Sequence, residues 1–518
     1  MEWLTAGPAC TLRRVTLSLA APEPPLAGRY FVQTFGCQMN VHDSDRMEEV
    51  LVAHGWRPVA SAEDADLVVF NTCSVREKAE QKLRSEVGKL APLKQRRPDL
   101  VICVAGCVAQ QEGEKLLKRI AHVDLVIGPD NLTELPALAL AQRAGERPLA
   151  RTVFDLEAPR FLAASPAPGA APVSAFVTTM KGCDERCSFC IVPYTRGPER
   201  YRPVAEILSE VTRWVASGSR EVVLLGQTVD SYQDPDLPPP ETGDPDESQF
   251  PALLRLLASR VPAFDAAHPD RPGLARLRYT SPHPRHATAS LARAHAEIDV
   301  LARHVHLPVQ SGSDRVLRRM IRRYTRAEYV ARAARLRAAR PGLTLSTDVV
   351  VGFPGETEED FLETLSVVRE AEFTSLFGFT FSPRPHTPAL RLVDDVPEQV
   401  KSERLARLFE VSEAQGRAHL ASLVGTRQRV LIEGESPVRE SVPLVTGRTE
   451  RNEIVHLEAP EGRSSIGRLV DVEIARANKH SLAGRWTEEA LAALPTAVVR
   501  PARRVLPLAP APFSTRHA

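Results

Sequence analysis

The chain has 518 residues, with 66 Lys and Arg against 65 Asp and Glu, a formal charge of +1. That balance excludes a polybasic nucleic-acid binder, so any contact with RNA must come from local patches. Hydrophobic residues at 43% and charged residues at 25% are ordinary globular usage, in a length that allows two or three domains. No apolar run nears the ~20 residues of a membrane span, which predicts no membrane partner.

In chain order, residues 1–28 read as a disordered leader, because the apolar stretch 15–21 is too short for a secretory signal. Residues 29–150 alternate apolar strands near 30–35, 67–71, 100–105 and 124–127 with polar helices. Between them Val75, Ala79, Leu83, Val87 and Leu90 fall at helical spacing. The alternation predicts an α/β domain, a parallel sheet covered by helices. Residues 151–172 are a linker whose stretch 158–172 is rich in Pro and Ala. A second alternating region, 173–410, places strands near 175–180, 221–225, 275–280, 303–307, 343–351 and 374–381. Six strand–helix units suggest a partial (β/α)6 barrel. An acidic, Pro-rich surface loop at 234–248 interrupts it. From 418 to 488, short alternating runs broken by Gly predict a small antiparallel β-barrel. Residues 489–518 read as a disordered tail.

Eight cysteines in so long a chain do not make a disulfide scaffold and point to a reducing, cytoplasmic setting. Cys183, Cys187 and Cys190 lie within eight residues after a strand. A structural zinc site takes four ligands and a four-iron cluster usually takes four thiolates, and here no fourth Cys or His is adjacent. Three thiolates on a cubane would leave one iron open; a zinc knuckle completed from elsewhere, or buried thiols, are the alternatives. Cys37, Cys73 and Cys107 each directly follow a predicted strand. Carboxyl ends of parallel strands share one edge, so these three can converge, as a second cluster or as unrelated buried thiols. Cys103 lies inside an apolar strand and reads as a core thiol, and Cys10 falls in the leader.

The spacing at 183–190, with Lys181-Gly182 and Asp184-Glu185-Arg186, resembles the radical SAM superfamily. TFGCQMN (34–40), NTCSVREKAEQK (71–82), AGCVAQQEG (105–113) and KGCDERCSFCIVPYTRGPERYRP (181–203) resemble the tRNA methylthiotransferase family. So do LGQTVDSY (225–232), HLPVQSGSDRVLRRM (306–320), STDVVVGFPGETEEDF (346–361) and FTFSPRPHTPA (379–389). The barrel, with TGRTE (446–450) and NKHSLAGR (478–485), resembles a TRAM RNA-binding domain, and the likeness spans about 29–485.

The resemblance implies a 4Fe-4S cluster on Cys183, Cys187 and Cys190 that cleaves S-adenosylmethionine, and an auxiliary 4Fe-4S cluster on Cys37, Cys73 and Cys107. It implies methylthiolation at carbon 2 of N6-isopentenyladenosine, position 37 of tRNA. One S-adenosylmethionine serves as radical source and a second as methyl donor. An aromatic C–H at that carbon is neither acidic nor electrophilic, so a radical must break it and a sulfur must already be held within reach. S-adenosylmethionine contacts implied by the superfamily pattern fall on Gly226, Gln227, Gln310, Ser311, Gly352, Gly355 and Glu356, although turn formation alone would explain the glycines. Implied partners are a tRNA anticodon stem-loop, a low-potential electron donor and a sulfur donor, acting on a monomer. Branches acting on threonylcarbamoyl-adenosine or on an aspartate of a ribosomal protein share both cysteine sets, and a non-catalytic iron–sulfur protein is a different class. For RNA phosphates, residues 76–97 offer eight Lys/Arg against three acids and residues 314–340 ten Arg against two. Either segment also reads as a solvated helix face. Residues 421–480 hold nine basic and nine acidic residues, so charge alone does not mark the barrel as an RNA binder.

Overall fold

A computed structural model describes residues 26–74, 77–157, 161–163, 171–438 and 442–496. The expected leader up to residue 25, the centre of the linker and the tail from 497 lie outside the described residues.

The first domain is a six-stranded parallel sheet of β1 (Gly28–Phe35), β2 (Trp56–Pro58), β3 (Leu67–Thr72), β4 (Val101–Gly106), β5 (Leu125–Ile127) and β6 (Leu149–Arg151), in the order β2-β1-β3-β4-β5-β6. Helices α1 (Gln38–Ala53), α2 (Glu77–Lys89), α3 (Ala91–Arg96), α4 (Cys107–Glu112), α5 (Glu114–Arg119) and α6 (Leu135–Arg143) cover it. Strands β3 and β4 are buried along their whole length. Alternate residues therefore feed two cores: Val68, Phe70, Ile102 and Val104 pack with Leu83 and Val87 of α2, while Leu67, Val69, Val101 and Cys103 pack with Met47 and Leu51 of α1. Cys103 is a core thiol, as its place in the apolar run implied. Strand order reverses between β1 and β3, since β2 lies on the far side of β1. In such sheets the crevice at the carboxyl ends of the reversing strands is where ligands sit. The short β2 was not foreseen, and it sets that reversal.

The second domain carries six parallel strands in barrel order. They are β7 (Ser174–Thr178), then, past the small antiparallel pair β8 (Met180–Lys181) and β9 (Arg200–Tyr201), β10 (Glu221–Leu225), β11 (Arg276–Tyr279), β12 (His304–His306), β13 (Thr344–Val351) and β14 (Ser375–Thr380). Two three-stranded sheets, β11-β10-β7 and β12-β13-β14, are joined by a parallel bridge between Leu277 and Leu301. Helices α7 (Val192–Arg196), α8 (Val204–Ala216), α9 (Phe250–Arg260), α10 (Ala289–Glu297), α11 (Asp314–Arg319), α12 (Arg326–Ala339), α13 (Glu358–Glu370) and α14 (Glu398–Ser422) follow. Capping boxes at Thr325/Glu328 and Thr357/Asp360 start α12 and α13, each satisfying two otherwise unpaired backbone N–H groups. The loop 234–248 is fastened rather than free. Asp234 accepts from the Val204 N–H at 2.8 Å, and Asp246 accepts from Arg332 at 3.0 Å.

Strands β15 (Arg427–Glu435), β16 (Leu444–Thr449), β17 (Ile454–Glu458), β18 (Leu469–Ala477) and β19 (Leu482–Trp486) close the third domain as a barrel in the order β15-β16-β17-β19-β18. A short helix α15 (Glu488–Ala493), capped by Thr487, buries Ala490 against the barrel core where the start of a disordered tail was expected. The turn after β16 seals the amino-terminal end of the partial barrel. Glu221, deep in that end, binds Arg276 and Arg278, whose other N–H groups reach the Arg448 and Thr449 carbonyls at 3.2 and 2.9 Å. Among the described residues no helix is long and apolar enough to cross a membrane.

Candidate radical and sulfur-transfer site

The segment between β8 and β9 carries Cys183, Cys187 and Cys190, and the two-strand ladder closes it at its base. Gly182 has φ +81, and a Cβ there would lie 1.8 Å from the Pro198 carbonyl oxygen, so only glycine lets the loop close. The Ser188 N–H and hydroxyl bond the Met320 and Arg319 carbonyls at 2.9 and 2.8 Å, pinning the loop to the end of α11. The sulfurs are held too. Cys183 Sγ lies 3.0 Å from Thr228 Oγ1, and Cys187 Sγ accepts from Arg322 Nη1 at 3.1 Å. Burial pushes the Cys183 thiol up to about 12, against the Thr228 hydrogen bond. Burial raises Cys190 as well, with the neighbouring Cys187 and Cys183 adding to it.

In the first domain Cys37 precedes α1, Cys73 follows β3 and Cys107 opens α4. Two tight glycines shape these turns. Cβ atoms at Gly36 and Gly106, both at positive φ, would meet Cys73 Cβ at 2.6 Å and Asn71 Oδ1 at 2.3 Å. A buried amide network backs the set: Cys37 Sγ donates to Asn40 Oδ1 at 3.2 Å, Asn40 Nδ2 donates to Asn71 Oδ1 at 3.1 Å, and Asn71 Nδ2 donates to the Asn40 carbonyl at 2.8 Å. Cys37 is held at about 6. The Cys73 hydrogen bond does most, against burial, with Arg196 and the Asn40 and Met39 backbone helping. Burial raises Cys107, partly offset by Arg196. Cys73 and Cys107 are buried while Cys37 keeps exposed surface.

The two sets lie on either side of one domain seam. Helix α7 follows Cys190 directly and packs on α4, which begins at Cys107. Arg196, the last residue of α7, is 3% exposed; its Nη2 donates to Asp43 Oδ2 at 2.6 Å, and its Nη1 has no partner. Asp130 takes Arg200 at 2.5 Å and Lys181 at 3.3 Å. Met39 packs against Val223 and Leu225 inside the partial barrel.

The groups expected to hold S-adenosylmethionine divide in two. Gly226 sits against Met180, and Gln227 Oε1 accepts the Gly182 N–H at 2.5 Å while its Nε2 is buried without a partner. Gln310, at φ +68, ladders with β13 through the Asp348 carbonyl and the Val350 N–H. Of the others, Ser311 contacts Thr364, Glu356 accepts from the Gly352 N–H and from Arg404 at 2.8 Å, and Gly355 lies against Arg319. Reasoning from the sequence did not single out Thr228, Asp230, His283, Arg322 or the Asn40–Asn71 pair. Burial raises Asp230 to about 7.

Most arginines of 314–340 turn inward or pair. Arg322, Arg332, Arg337 and Arg340 donate to backbone carbonyls, while Arg315 and Arg326 pair with Asp360 and Glu370. The segment does not present the continuous basic face that its composition suggested.

Among the described residues no three His, Cys, Asp or Glu side chains group as ligands of a single metal ion. In a cubane each thiolate binds a different iron, so three thiols with no fourth donor suit a cluster. Gln227 Nε2 and Asp230 Oδ2, buried without hydrogen-bond partners, and the facing Glu185 Oε2 and His283 Nε2, 3.8 Å apart, suit a polar ligand beside the loop.

Family models match each of the three domains. Residues 29–128 match the uncharacterized protein family UPF0004, residues 177–368 the radical SAM superfamily and residues 421–487 the TRAM domain. A radical S-adenosylmethionine methyltransferase, TsrM from Kitasatospora setae, solved with cobalamin and a [4Fe-4S] cluster, aligns over 70% of this chain and 76% of that one, at 17% identity and a TM-score of 0.48. The partial barrel and its cysteine loop define a radical SAM enzyme, a class that uses a [4Fe-4S] cluster and S-adenosylmethionine. The tRNA-2-methylthio-N(6)-dimethylallyladenosine synthase of Sorangium cellulosum (strain So ce56) is 61% identical over 501 residues, 93% of this chain and 98% of that protein. The synthase of Bordetella petrii is 45% identical over 463 residues, covering 89% and 91%. The chain belongs to the family of tRNA-2-methylthio-N(6)-dimethylallyladenosine synthases.

Proposed function

We propose that this chain methylthiolates carbon 2 of N6-isopentenyladenosine at position 37 of tRNA, with Cys183, Cys187 and Cys190 holding one [4Fe-4S] cluster and Cys37, Cys73 and Cys107 a second. The observation that carries the reading is that the two sets lie on either side of one seam, bridged by α7 from Cys190 to Arg196. When bound, the clusters and two molecules of S-adenosylmethionine would supply the radical and the methyl group and hold the sulfur to be transferred.

The chain's own residues hold and orient. Arg322 and Thr228 fix the sulfurs of Cys187 and Cys183. Gln227, tied to the Gly182 N–H, keeps an unpaired amide N–H2 for the methionyl end of S-adenosylmethionine. Asn40 and Asn71 lock the turns of the second set. Met39, Val223 and Leu225 put apolar bulk in the seam, which keeps water from a reactive radical. An electron donor of low potential, a sulfur donor and an unstacked anticodon loop complete the scheme, in a monomer working in the cytoplasm.

The test is anaerobic reconstitution with iron and sulfide, then incubation with isopentenylated tRNA, S-adenosylmethionine and a reductant. Mass spectrometry of the nucleosides should find 2-methylthio-N6-isopentenyladenosine. Methylthiolated threonylcarbamoyl-adenosine alone, or 5′-deoxyadenosine with unchanged tRNA, overturns the reading.

A further inference from the structure

A base whose carbon 2 must lie between the two cysteine sets has to leave its stack, and an unstacked base needs a flat surface to lie on. Helix α7 offers one. Tyr194, four residues after Cys190 and two before Arg196, is 43% exposed. Its ring faces that of His386, with centroids 6.0 Å apart and planes 34° from parallel. His386 has φ +66, a left-handed conformation rare for a residue with a Cβ. The turn is held there by Thr387, whose hydroxyl donates to the Arg384 carbonyl at 2.7 Å.

Beside the pair lies a cavity of about 610 Å3 between the first and second domains, lined by Arg84 and Gln111 on one wall and Phe381, Arg384 and Pro385 on the other. That volume admits a nucleotide. Its charges are unequal in availability. Glu80 faces Arg384 at 3.8 Å, Glu112 pairs with Arg119 at 3.1 Å and Glu398 pairs with Lys401 at 2.7 Å. Arg84 is exposed and makes no hydrogen bond or ion pair among the described residues. One wall thus carries an unneutralised guanidinium, and the other runs through Pro385 to the next residue, His386, whose exposed ring meets that of Tyr194.

The geometry points to Tyr194 and His386 as the stacking platform for the unstacked purine of a single-stranded RNA loop, with Arg84 taking a neighbouring phosphate as the loop passes through the cavity. The inference rests on the reading of the chain as a tRNA-modifying enzyme and names the groups that receive the base. Stacking is indifferent to base identity, so the platform positions the purine, and selection of the isopentenyl group falls to other contacts.

The probes are two anticodon stem-loop RNAs, one with N6-isopentenyladenosine at position 37 and one with 2-aminopurine there. Wild-type protein should bind the first and quench the fluorescence of the second. Tyr194→Ala should weaken binding by about 5- to 150-fold and abolish the quenching, while Tyr194→Phe keeps both. Arg84→Ala should weaken binding and reduce the slope of log affinity against log salt by about one. Equal binding and quenching by Tyr194→Ala and wild type would overturn the platform. If wild-type enzyme still forms the methylthio product in that case, the activity stands and only the placement of the base falls. An unchanged salt slope in Arg84→Ala would remove the phosphate contact.

Discussion

Arg196→Met probes the joint between the two cysteine sets. Arg196 and Asp43 come from different domains and are both buried, with a 2.6 Å hydrogen bond between them. Burial alone would raise the Asp43 carboxyl, but Arg196, with His42 adding, holds it down at about 2. Removing the guanidinium leaves a buried carboxylate with only His42 to offset it, a change that costs about 3–5 kcal/mol. If that cost falls on docking of α1 against the second domain, local opening becomes about 150-fold more frequent at the lower figure. Amide hydrogen exchange over residues 38–53 at neutral pH reads this directly. Arg196→Met should speed exchange there by about two orders of magnitude, and the added change Asp43→Leu should restore most of the protection, because a buried pair replaced by apolar groups is close to neutral. Exchange within twofold of wild type in the single variant would refute the idea that this pair ties the seam.

Glu221 gives a pH dependence. Burial would raise its pKa, but Arg278 and Arg276 hold it at about 2, below the ordinary 4.5. A depressed folded pKa contributes stability that is complete above about pH 4.5 and drains away as pH falls towards 2, on the order of 3 kcal/mol. Acid unfolding of Glu221→Gln should start from lower stability at pH 6 and run flatter than wild type across that window; parallel profiles contradict the assignment. Gly182→Ala forces a Cβ to within 1.8 Å of the Pro198 oxygen, so iron content after reconstitution should fall by about half with the first domain still loaded. Cys183→Ala should abolish 5′-deoxyadenosine formation, whereas Cys73→Ala should spare it and stop sulfur insertion. Unchanged methylthiolation in either variant breaks the division of roles.

Much of this was legible in the residues because it is local. Alternating apolar runs located the six barrel strands and all but two short strands of the first sheet, and a cysteine after a strand is placed by the strand itself. What escaped depends on partners distant in the chain. The three-residue β2 carries no periodic signal, yet it sets the strand reversal at which Cys37 and Cys73 lie. Asn71 ends a run of apolar residues, a polar group that had to find a buried partner, but nothing local names Asn40 as that partner. The arginines of 314–340 looked like an RNA-binding face because composition cannot tell a solvated guanidinium from one bound to Asp246 or to a carbonyl. Ser311 and Glu356 follow barrel strands, and nothing local names Thr364 and Arg404 as the groups their side chains meet.

The central claim is two separate triads of thiolates. Iron and sulfide analysis with Mössbauer spectroscopy tests it on anaerobically assembled wild-type protein and on a variant with Cys37, Cys73 and Cys107 all changed to Ala. About eight irons per chain in the first and about four in the second, as [4Fe-4S] in both, is the expected result. About four irons in both proteins, or zinc in place of iron, would contradict it.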